Sequence, residues 1–270
     1  MNEIGPDRAY DSANGAAFFD VDRTLVAGAS ALTMVKPFQR RGLVTRRQTI
    51  RAGLAQLAYT ARGTDDNGIE KSYAAAKVLM KGWDVALMDR VIADELESRL
   101  HPTVFREALE RVEMHHRQGQ AVYAVSATMI GLIAPIAELL GLDGALGAEM
   151  EIVDGKFTGE VISACHGEAK AERVIEFARE NGIDLARSSA YSDSISDAPF
   201  LRAVGRPYAV NPDQKLRKLA EAEGWGMLAF RTRIKAPVHR RRSTHVGIVA
   251  VVAAALAGSR LRSRRRKKDA

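Results

Sequence analysis

Short strand-like segments alternate with helical segments along most of this chain. The first, residues 16–19, reads Ala-Ala-Phe-Phe and has no polar side chain, as in a strand that is buried on both faces of a parallel sheet. Similar segments follow at residues 120–125, 188–192 and 207–210, and residues 226–230 add a last short strand. Because strands that alternate with helices form a parallel sheet covered by helices, we predict an α/β fold with a doubly wound sheet.

The connection between the first two strands is much longer than a parallel crossover requires. About ninety helical residues separate them, whereas a crossover needs only a dozen or more. Thr45, Asn67 and Asp84 are predicted N-caps within this block. We therefore predict a helical module inserted after the first strand. Later in the chain, two alternating runs around Asp154 and Gly155 predict a β-hairpin.

The positive charge of the chain is concentrated at its C-terminal end. The formal net charge is +7, but residues 231–270 hold thirteen Lys and Arg against one acid, which leaves −5 on the preceding residues. That body shows no basic, aromatic-interleaved pattern, so no nucleic-acid partner is expected, although binding through the basic tail is an alternative. Cys165 is the single cysteine, so no intramolecular disulfide can form. Together with a polar N-terminus, this predicts a cytoplasmic protein.

Residues 246–258 are a run of thirteen uncharged, mostly apolar residues between basic flanks. As a helix they would span about 20 Å, which is short of a hydrocarbon core of about 30 Å. One alternative is a helix packed on the body or a disordered tail. The other is a weak C-terminal anchor that contacts the inner face of the cell membrane through anionic headgroups.

A set of polar residues follows the ends of three predicted strands or lies near a helix start. Its members are Asp20, Asp22, Ser126, Lys170, Asp193 and Asp197. Because ligands of open α/β sheets bind at the carboxyl ends of the strands, we expect these side chains to converge at one edge. Several carboxylates with one hydroxyl and one lysine suit Mg²⁺ and a phosphate group rather than zinc.

These residue types can hydrolyse a phosphate ester. A carboxylate can attack phosphorus and form an aspartyl-phosphate. Asp22, two residues after Asp20, lies on the same side of an extended chain and can move the proton. Taken singly, each residue has an ordinary explanation as a solvated turn residue, a helix cap or a surface lysine. Their joint order along the chain favours a site. The spacing of Asp193 and Asp197 would place both on one face of a helical turn.

The sequence resembles the haloacid dehalogenase superfamily, subfamily IB, the phosphoserine-phosphatase-like hydrolases. The similar motifs are 20-DVDRTL, 125-VSAT, 167-GEAK and 191-YSDSISDAPFL, and the resemblance runs from about residue 17 to residue 230. It implies a Rossmann-like core with an all-helical class 1 cap. The implied domains are a core at residues 14–29 and 103–230, a cap at 30–102, and a basic linker with an apolar tail at 231–270.

The same resemblance implies a role for each site residue. Asp20 would be the nucleophile and Asp22 the general acid/base, while Ser126 and Lys170 would bind the phosphoryl group. The Mg²⁺ ligands would be Asp20, the Asp22 backbone carbonyl and Asp193, with Asp197 supporting the metal or orienting Lys170. Dehalogenases of the superfamily lack the second acid of the first motif, so Asp22 favours a phosphate substrate.

Some residues fall outside this pattern. Arg23 and Ala169 stand where the family commonly has other residues. Arg23 could add a positive charge near the phosphate or point away from it, and strand alternation favours the second alternative. No catalytic role is expected for His115, His116 or His166. A basic cluster in the cap, consisting of Arg40, Arg41, Arg46, Arg47 and Arg51, would be either a solvated face or a contact for an acidic substrate or lipid.

The predicted function is that of a Mg²⁺-dependent phosphomonoester hydrolase that acts on a small phosphorylated metabolite. One alternative is a membrane-associated phosphatase of a lipid-related phosphoester. A second alternative is a regulatory protein that keeps the fold without turnover.

Overall fold

The computed structural model describes residues 14–45, 47–48 and 79–234, and these residues contain a seven-stranded sheet. The strands are β1 (Ala16–Asp20), β2 (Ala121–Met129), β3 (Gly144–Val153), β4 (Lys156–Ser163), β5 (Ser189–Ser192), β6 (Arg206–Val210) and β7 (Gly226–Leu228). Their order across the sheet is β4-β3-β2-β1-β5-β6-β7. Neighbouring strands are parallel except β3 and β4, which confirms the predicted fold class.

Helices cover both faces of this sheet. The helices on the sheet are α3 (Arg106–Arg117), α4 (Ile130–Leu140), α5 (Gly167–Glu180), α6 (Ala198–Arg202) and α7 (Gln214–Glu223), while α1 (Ser30–Arg40) and α2 (Val85–Leu100) lie in the insertion. Short 3₁₀ turns lie at His101–Thr103, Leu185–Arg187 and Ile195–Asp197. Successive side chains of β1 enter different hydrophobic clusters, with Phe19 in one and Phe18 in the other. Both faces of β1 are therefore packed, which explains why its sequence lacks polar alternation.

The aromatic residues of the central strands stack across the sheet. Phe19 lies parallel to Tyr191 of β5 with ring centroids 4.1 Å apart, and Tyr191 stacks on Tyr208 of β6 at 4.8 Å. On the opposite face Phe18 stacks on Tyr123 of β2 at 5.6 Å. Offset aromatic pairs of this kind contribute about 0.5–1.5 kcal/mol each beyond their buried area. They hold β1 in register and so fix the position of Asp20 at its end.

The second strand extends further than the sequence pattern predicts. It was expected to end before Ser126, but β2 runs to Met129 and α4 begins at the next residue. Its pairing with β3 shifts register between Val125 and Met129, so the strand bends there. Gly147 of β3 allows this close approach, because a Cβ at that position would lie 2.8 Å from the Thr128 carbonyl oxygen.

The predicted hairpin is confirmed as β3 and β4. Asp154 and Gly155 both have positive φ at its turn, as the Asp-Gly pair favours. The hairpin also contacts the segment that leads into α2. The Val85 N–H donates to the Gly155 carbonyl at 3.0 Å, and the Phe157 N–H donates to the Trp83 carbonyl at 3.0 Å. The start of α2, within the helical insertion, is therefore attached to the edge of the sheet.

The insertion between β1 and β2 includes α1 and α2, which pack against each other. Asp84 caps α2 by accepting from the Leu87 N–H at 2.7 Å, as predicted. Thr45 and Gln48 form the reciprocal hydrogen bonds of a capping box, whereas Asn67 lies outside the described residues. The domain boundaries stay a prediction.

Two arginines of the basic cluster form ion pairs with α2. Arg40 pairs with Glu95 at 2.8 Å and Arg41 pairs with Asp94 at 3.1 Å. Arg46 and Arg51 lie outside the described residues. The pairs of Arg40 and Arg41 favour the interpretation of that part of the cluster as a solvated, ion-paired face.

After β7 the chain pairs with residues 104–106. The Arg106 N–H donates to the Thr232 carbonyl at 2.8 Å, and the Ile234 N–H donates to the Val104 carbonyl at 3.0 Å. We call residues 231–234 the C-terminal strap. Among the described residues, no helix is both long enough and apolar enough to cross a membrane. Residues 246–258, for which a membrane anchor is one of two alternatives, lie outside them.

Candidate active site

The centre of the site is a lysine held between two aspartates. The Lys170 Nζ donates to Asp20 Oδ1 at 2.7 Å and to Asp197 Oδ2 at 2.6 Å. Asp20 ends β1, Lys170 lies in the first turn of α5, and Asp197 ends the 3₁₀ turn after β5. Lys170 is only 1% exposed and the two carboxylates 8% and 5%. At this depth an unpaired charge would be costly, so the three groups depend on one another.

The fold surrounds Lys170 with compensating groups. A lysine in the first turn of a helix opposes the positive end of the helix dipole, so it needs a negative partner. Asp197 provides one, and the Ser192 hydroxyl donates to the same Asp197 oxygen at 2.6 Å. The Lys170 ammonium also lies 5.0 Å from the centre of the Phe200 ring, which adds a cation–π contact. Together with the hydrogen bond to Asp20, these contacts fix the position of the Lys170 ammonium.

The pKa values reflect an excess of buried carboxyl groups. Burial acts to lower the pKa of Lys170, but the attraction of Asp197 and Asp20 outweighs it and raises that pKa, so the amine stays charged. Burial raises the pKa of Asp20 to about 8, against the opposing effect of Lys170. Burial likewise raises the pKa of Asp193 to about 6, against the effect of Arg23. Four acids of this region face two described cations, so a bound divalent cation would relieve the imbalance.

The donor set fits a hard cation. Carboxylate and carbonyl oxygens are the ligands that Mg²⁺ prefers. Asp20 ends β1 and Asp193 directly follows the neighbouring strand β5, at the edge where ligands of such sheets bind. The residues present therefore fit Mg²⁺.

Asp22 is bonded to the helical insertion. Its Oδ1 accepts from the Ser30 N–H at 2.7 Å, at the first residue of α1. A carboxylate at a helix N-terminus is favoured by the helix dipole, which holds this side chain in place. Asp22, which is predicted to move a proton, thus also links the end of β1 to the first helix of the insertion.

Ser126 lies one residue past the strand neighbour of Asp20. Val125 pairs in register with Asp20, and Ser126 follows it with only 2% of its surface exposed. The recorded hydrogen bond of its Oγ is local, accepted from the Thr128 N–H at 3.1 Å. The structure therefore places Ser126 at the expected edge without joining it to the Asp20–Lys170 pair.

Asp193 and Asp197 do not share the face of one helical turn, contrary to the spacing argument. Only Asp197 lies in the 3₁₀ turn, because Asp193 and Ser194 precede it with an extended Ser194. The two carboxylates consequently bind different cations, Asp197 pairing with Lys170 and Asp193 with Arg23.

Arg23 turns toward the site, so the prediction that it points away is wrong. Its Nη2 lies 2.5 Å from Asp193 Oδ2. Strand alternation does not apply at Arg23, because φ is +63° there and the chain has already left the sheet. The N–H groups of Thr24, Leu25 and Val26 all point to the Val21 carbonyl, which closes a tight loop directly after β1.

Comparison with known proteins places this geometry in a family. The model of the haloacid dehalogenase-like hydrolases matches residues 17–202, which covers β1, the insertion and the strands up to β5. The chain belongs to the haloacid dehalogenase-like hydrolases. This confirms the resemblance found in the motifs.

Relatives within the family include phosphatases. A probable phosphatase of Mycobacterium tuberculosis (strain ATCC 25618 / H37Rv) is 39% identical over 265 residues, with 95% of this chain and 92% of that protein covered. A phosphoserine phosphatase of the same strain is 36% identical over 256 residues, with coverages of 91% and 78%. The inhibition of morphological differentiation protein of Streptomyces azureus is 42% identical over 216 residues, with coverages of 80% and 78%. This haloacid dehalogenase-like chain is accordingly a phosphatase, similar to phosphoserine phosphatases.

A solved structure agrees with the architecture. A protein of unknown function from Bordetella pertussis Tohama I has a TM-score of 0.71 and 26% identity, with 80% of this chain and 98% of that chain covered. The similarity covers most of the described haloacid dehalogenase-like fold.

The sequence reasoning missed two residues that support this site. Ser192 donates to Asp197, and Asp213 fixes the loop that carries Asp193. Asp213 Oδ2 accepts from the Ile195 N–H at 3.1 Å, and the Asp213 N–H donates to the Asp193 carbonyl at 3.0 Å. Asp213 also caps α7, and its position before that helix was a signal that could have identified it.

Two of the three histidines lie in structural settings. His115 is buried beneath β1, with Nδ1 2.6 Å from Gln120 Oε1 and Nε2 2.7 Å from the Tyr191 hydroxyl. His116 lies 2.9 Å from Asp143. His166 precedes α5 and is partly buried, which lowers its pKa. The absence of a catalytic role for the histidines stays a prediction.

Proposed function

We propose that this phosphatase is a Mg²⁺-dependent phosphomonoester hydrolase that works through an aspartyl-phosphate on Asp20. The observation that carries the proposal is the buried Lys170, whose amine holds Asp20 and Asp197 at 2.7 Å and 2.6 Å. A charged lysine that fixes one oxygen of a carboxylate at a strand end is suited to a phosphate site, because it can also attract the incoming phosphoryl oxygens.

Asp20 is the nucleophile in this proposal. One of its oxygens is bound by Lys170, which leaves the other to form a bond to phosphorus while the bond from phosphorus to the leaving oxygen breaks. The rigid position of Asp20 at the end of a fully buried strand keeps the attacking oxygen in line with its target. Water then attacks the aspartyl-phosphate and releases phosphate, which regenerates the carboxylate.

Asp22 is the general acid and base. It gives a proton to the leaving oxygen in the first step and takes one from the attacking water in the second. The hydrogen bond from the Ser30 N–H fixes one of its oxygens, so the other is presented consistently in both steps. Because Ser30 begins α1, the position of the cap helix is coupled to that of the proton donor.

Ser126 and Lys170 hold the phosphoryl oxygens as they gain charge, and Asp197 orients Lys170. Asp20, the Asp22 backbone carbonyl and Asp193 would hold the metal. When bound, Mg²⁺ supplies positive charge that reduces the repulsion between the anionic nucleophile and the anionic phosphate.

The proposed substrate is a small phosphorylated metabolite. The support is the similarity to a phosphoserine phosphatase over 91% of this chain. A panel of phosphorylated amino acids, sugars and nucleotides, with a short-chain phosphatidate as the lipid-related competitor, tests this class by the ratio kcat/KM. A clear preference for the phosphatidate would favour the membrane-associated alternative, and no turnover of any compound would favour the regulatory one.

The nucleophile is tested by Asp20→Asn. An amide cannot form the acyl-phosphate, so turnover of an aryl phosphate with Mg²⁺ should fall by at least about a thousandfold, the scale of losing a nucleophile. Far-ultraviolet circular dichroism checks that the variant is folded. Substantial residual turnover in a folded variant would rule out Asp20.

A further inference from the structure

We infer that Arg23 is a positioning residue that occupies the carboxylate of Asp193 until the metal ion displaces it. The inference rests on the proposed function, since it assumes that Asp193 is a metal ligand. Arg23 would thereby weaken the affinity for Mg²⁺ while keeping Asp193 in place for it. This gives the departure from the common family pattern at position 23 a role in the site.

The ion pair itself is the first observation. Arg23 Nη2 lies 2.5 Å from Asp193 Oδ2, and among the described residues no other basic side chain forms an ion pair with Asp193. The two sides of the pair differ in exposure, since the Arg23 side chain is 62% exposed and that of Asp193 only 7%. The aspartate is therefore fixed in the site, whereas the guanidinium has open solvent into which it can swing.

The backbone of Arg23 is the second observation. Its φ of +63° lies in the left-handed region, which is strained for any residue that carries a Cβ. The Arg23 N–H donates to the Gly28 carbonyl at 3.3 Å, which holds this conformation. The side chain thus pivots from a fixed Cα beside the site and stays near it after leaving Asp193.

Arg23 and a divalent ion held by the carboxylate of Asp193 would repel each other strongly. A guanidinium at hydrogen-bonding distance already satisfies the charge of Asp193, and a divalent ion at the same oxygen would face that positive charge at close range. Binding of the metal through Asp193 is therefore opposed by Arg23 and favours release of the Arg23–Asp193 pair. In the metal-free protein the same pair compensates a buried carboxylate that Lys170 does not reach, because Lys170 is bound to Asp20 and Asp197.

The inference is tested by isothermal titration of the full-length protein with MgCl₂. Arg23→Gln removes the charge and keeps the length of the side chain, so the Kd for Mg²⁺ should tighten about two- to fivefold, the range for an ion pair with one exposed partner. Arg23→Lys keeps the charge and should stay closer to wild type. Arg202→Gln is the matched control, because it removes an arginine whose partner is Glu223 on the surface, and its Kd should equal the wild-type value.

A second readout separates this role from a structural one. Because the pair exists only without metal, Mg²⁺ should raise the Tm of Arg23→Gln more than that of wild type, whereas a merely structural arginine would leave the two shifts equal. If wild type binds Mg²⁺ and Arg23→Gln binds it equally or more weakly, the inference about Arg23 is wrong, while the proposed metal site still stands. If neither protein binds Mg²⁺, the proposed metal site is wrong and the inference falls with it.

Discussion

Lys170 shows how one buried charge organises the site at the scale of single residues. It is the charged partner of two buried carboxylates, and its own burial would be unfavourable without them. Such an arrangement adds little net stability when complete, but removal of one member leaves the others uncompensated. The arrangement therefore favours a single geometry of the reactive groups.

Replacement of Lys170 by Met should destabilise the metal-free protein. Two aspartates would then face each other without a cation, and the free energy of unfolding should fall by about 3–5 kcal/mol. Urea denaturation in the presence of a chelator measures the loss. The double variant Lys170→Met, Asp197→Asn removes one of the two uncompensated acids and should recover part of the stability but none of the activity. A single variant as stable as wild type would contradict this account of the site.

His115 should make the protein sensitive to mild acid. Burial lowers its pKa to about 4 in the folded protein, from an ordinary value of 6.5. The unfolded chain therefore binds more protons between these values, so stability is full above pH 6.5 and declines as the pH falls. From pH 7 to pH 5 this residue should account for a loss of about 2 kcal/mol.

The measurement is urea denaturation at both pH values for wild type and His115→Gln. The variant is expected to be less stable at pH 7, since it loses the contact with Tyr191, but its stability should depend less on pH. A pH dependence as steep as that of wild type would assign the acid sensitivity to other groups.

At the scale of elements, the C-terminal strap is attached to the point where the insertion returns to the sheet. Residues 103–106 contact the strap on one side and the loop after β1 on the other, where the Phe105 N–H donates to the Leu25 carbonyl at 3.0 Å. Glu107 secures the strap by accepting from the N–H groups of Arg231 and Thr232 at 3.0 Å and 2.9 Å. The strap, the site loop and the start of α3 thus form one connected unit.

Replacement of Glu107 by Ala should release the strap. Burial acts to raise the pKa of Glu107, but hydrogen bonds from backbone N–H groups, including those of Arg231 and Thr232, outweigh it and lower that pKa. The stabilisation is therefore present at neutral pH and lost as the pH falls through the folded-state pKa. Hydrogen exchange at the amides of Arg231 and Thr232 should therefore be faster in the variant than in wild type. In wild type, exchange at these two amides should also become faster in acid when it is compared with exchange at neighbouring amides.

Glu110→Ala is the matched control for the strap, since it removes the same charge from the same helix. Its exchange at Arg231 and Thr232 should match that of wild type. Equal protection of these amides in Glu107→Ala and wild type would show that the strap is held by its ladder with residues 104–106 instead.

Elements with strong local patterns could be predicted from the sequence. The buried strands β1, β5 and β6 and the hairpin at Asp154 follow from composition and turn residues. Pairings between distant segments could not be predicted from the sequence, because no local pattern indicates that the strap lies against residues 104–106. The extension of β2 to Met129 was missed for a similar reason, since a register shift with β3 sustains it.

The site shows the same division. Asp20, Lys170 and Asp197 could be selected as candidates because each lies at a strand end or a helix start. The partner of Arg23 could not, because the prediction assumed an extended chain where φ is positive. The support from Asp213 was hidden, since its role depends on a loop that follows another strand.

At the scale of the whole molecule, the metal should couple the site to global stability. A ligand that binds only the folded state stabilises it by RT ln(1 + [L]/Kd), about 2.7 kcal/mol at a hundredfold excess over Kd. Mg²⁺ should therefore raise the Tm of wild type, and a chelator should reverse the shift. Asp193→Asn should lose most of it, because a ligand is removed.

Asp94→Asn provides the control for this shift, since Asp94 is an exposed acid on α2 that pairs with Arg41. Its Mg²⁺-dependent rise in Tm should equal that of wild type. A rise of the same size in Asp193→Asn would place the bound metal elsewhere in the molecule.

The central claim, that the phosphoryl group passes through Asp20, can be tested in one experiment. Asp22→Asn should still accept phosphate from an aryl phosphate, whose leaving group needs little protonation, but should hydrolyse the intermediate slowly. The reaction with Mg²⁺ is quenched in acid and analysed by intact-mass and peptide mass spectrometry. We expect one added phosphoryl group per chain, located on the peptide that contains Asp20. Turnover without a phosphorylated protein, or with the phosphoryl group on another residue, would contradict the account.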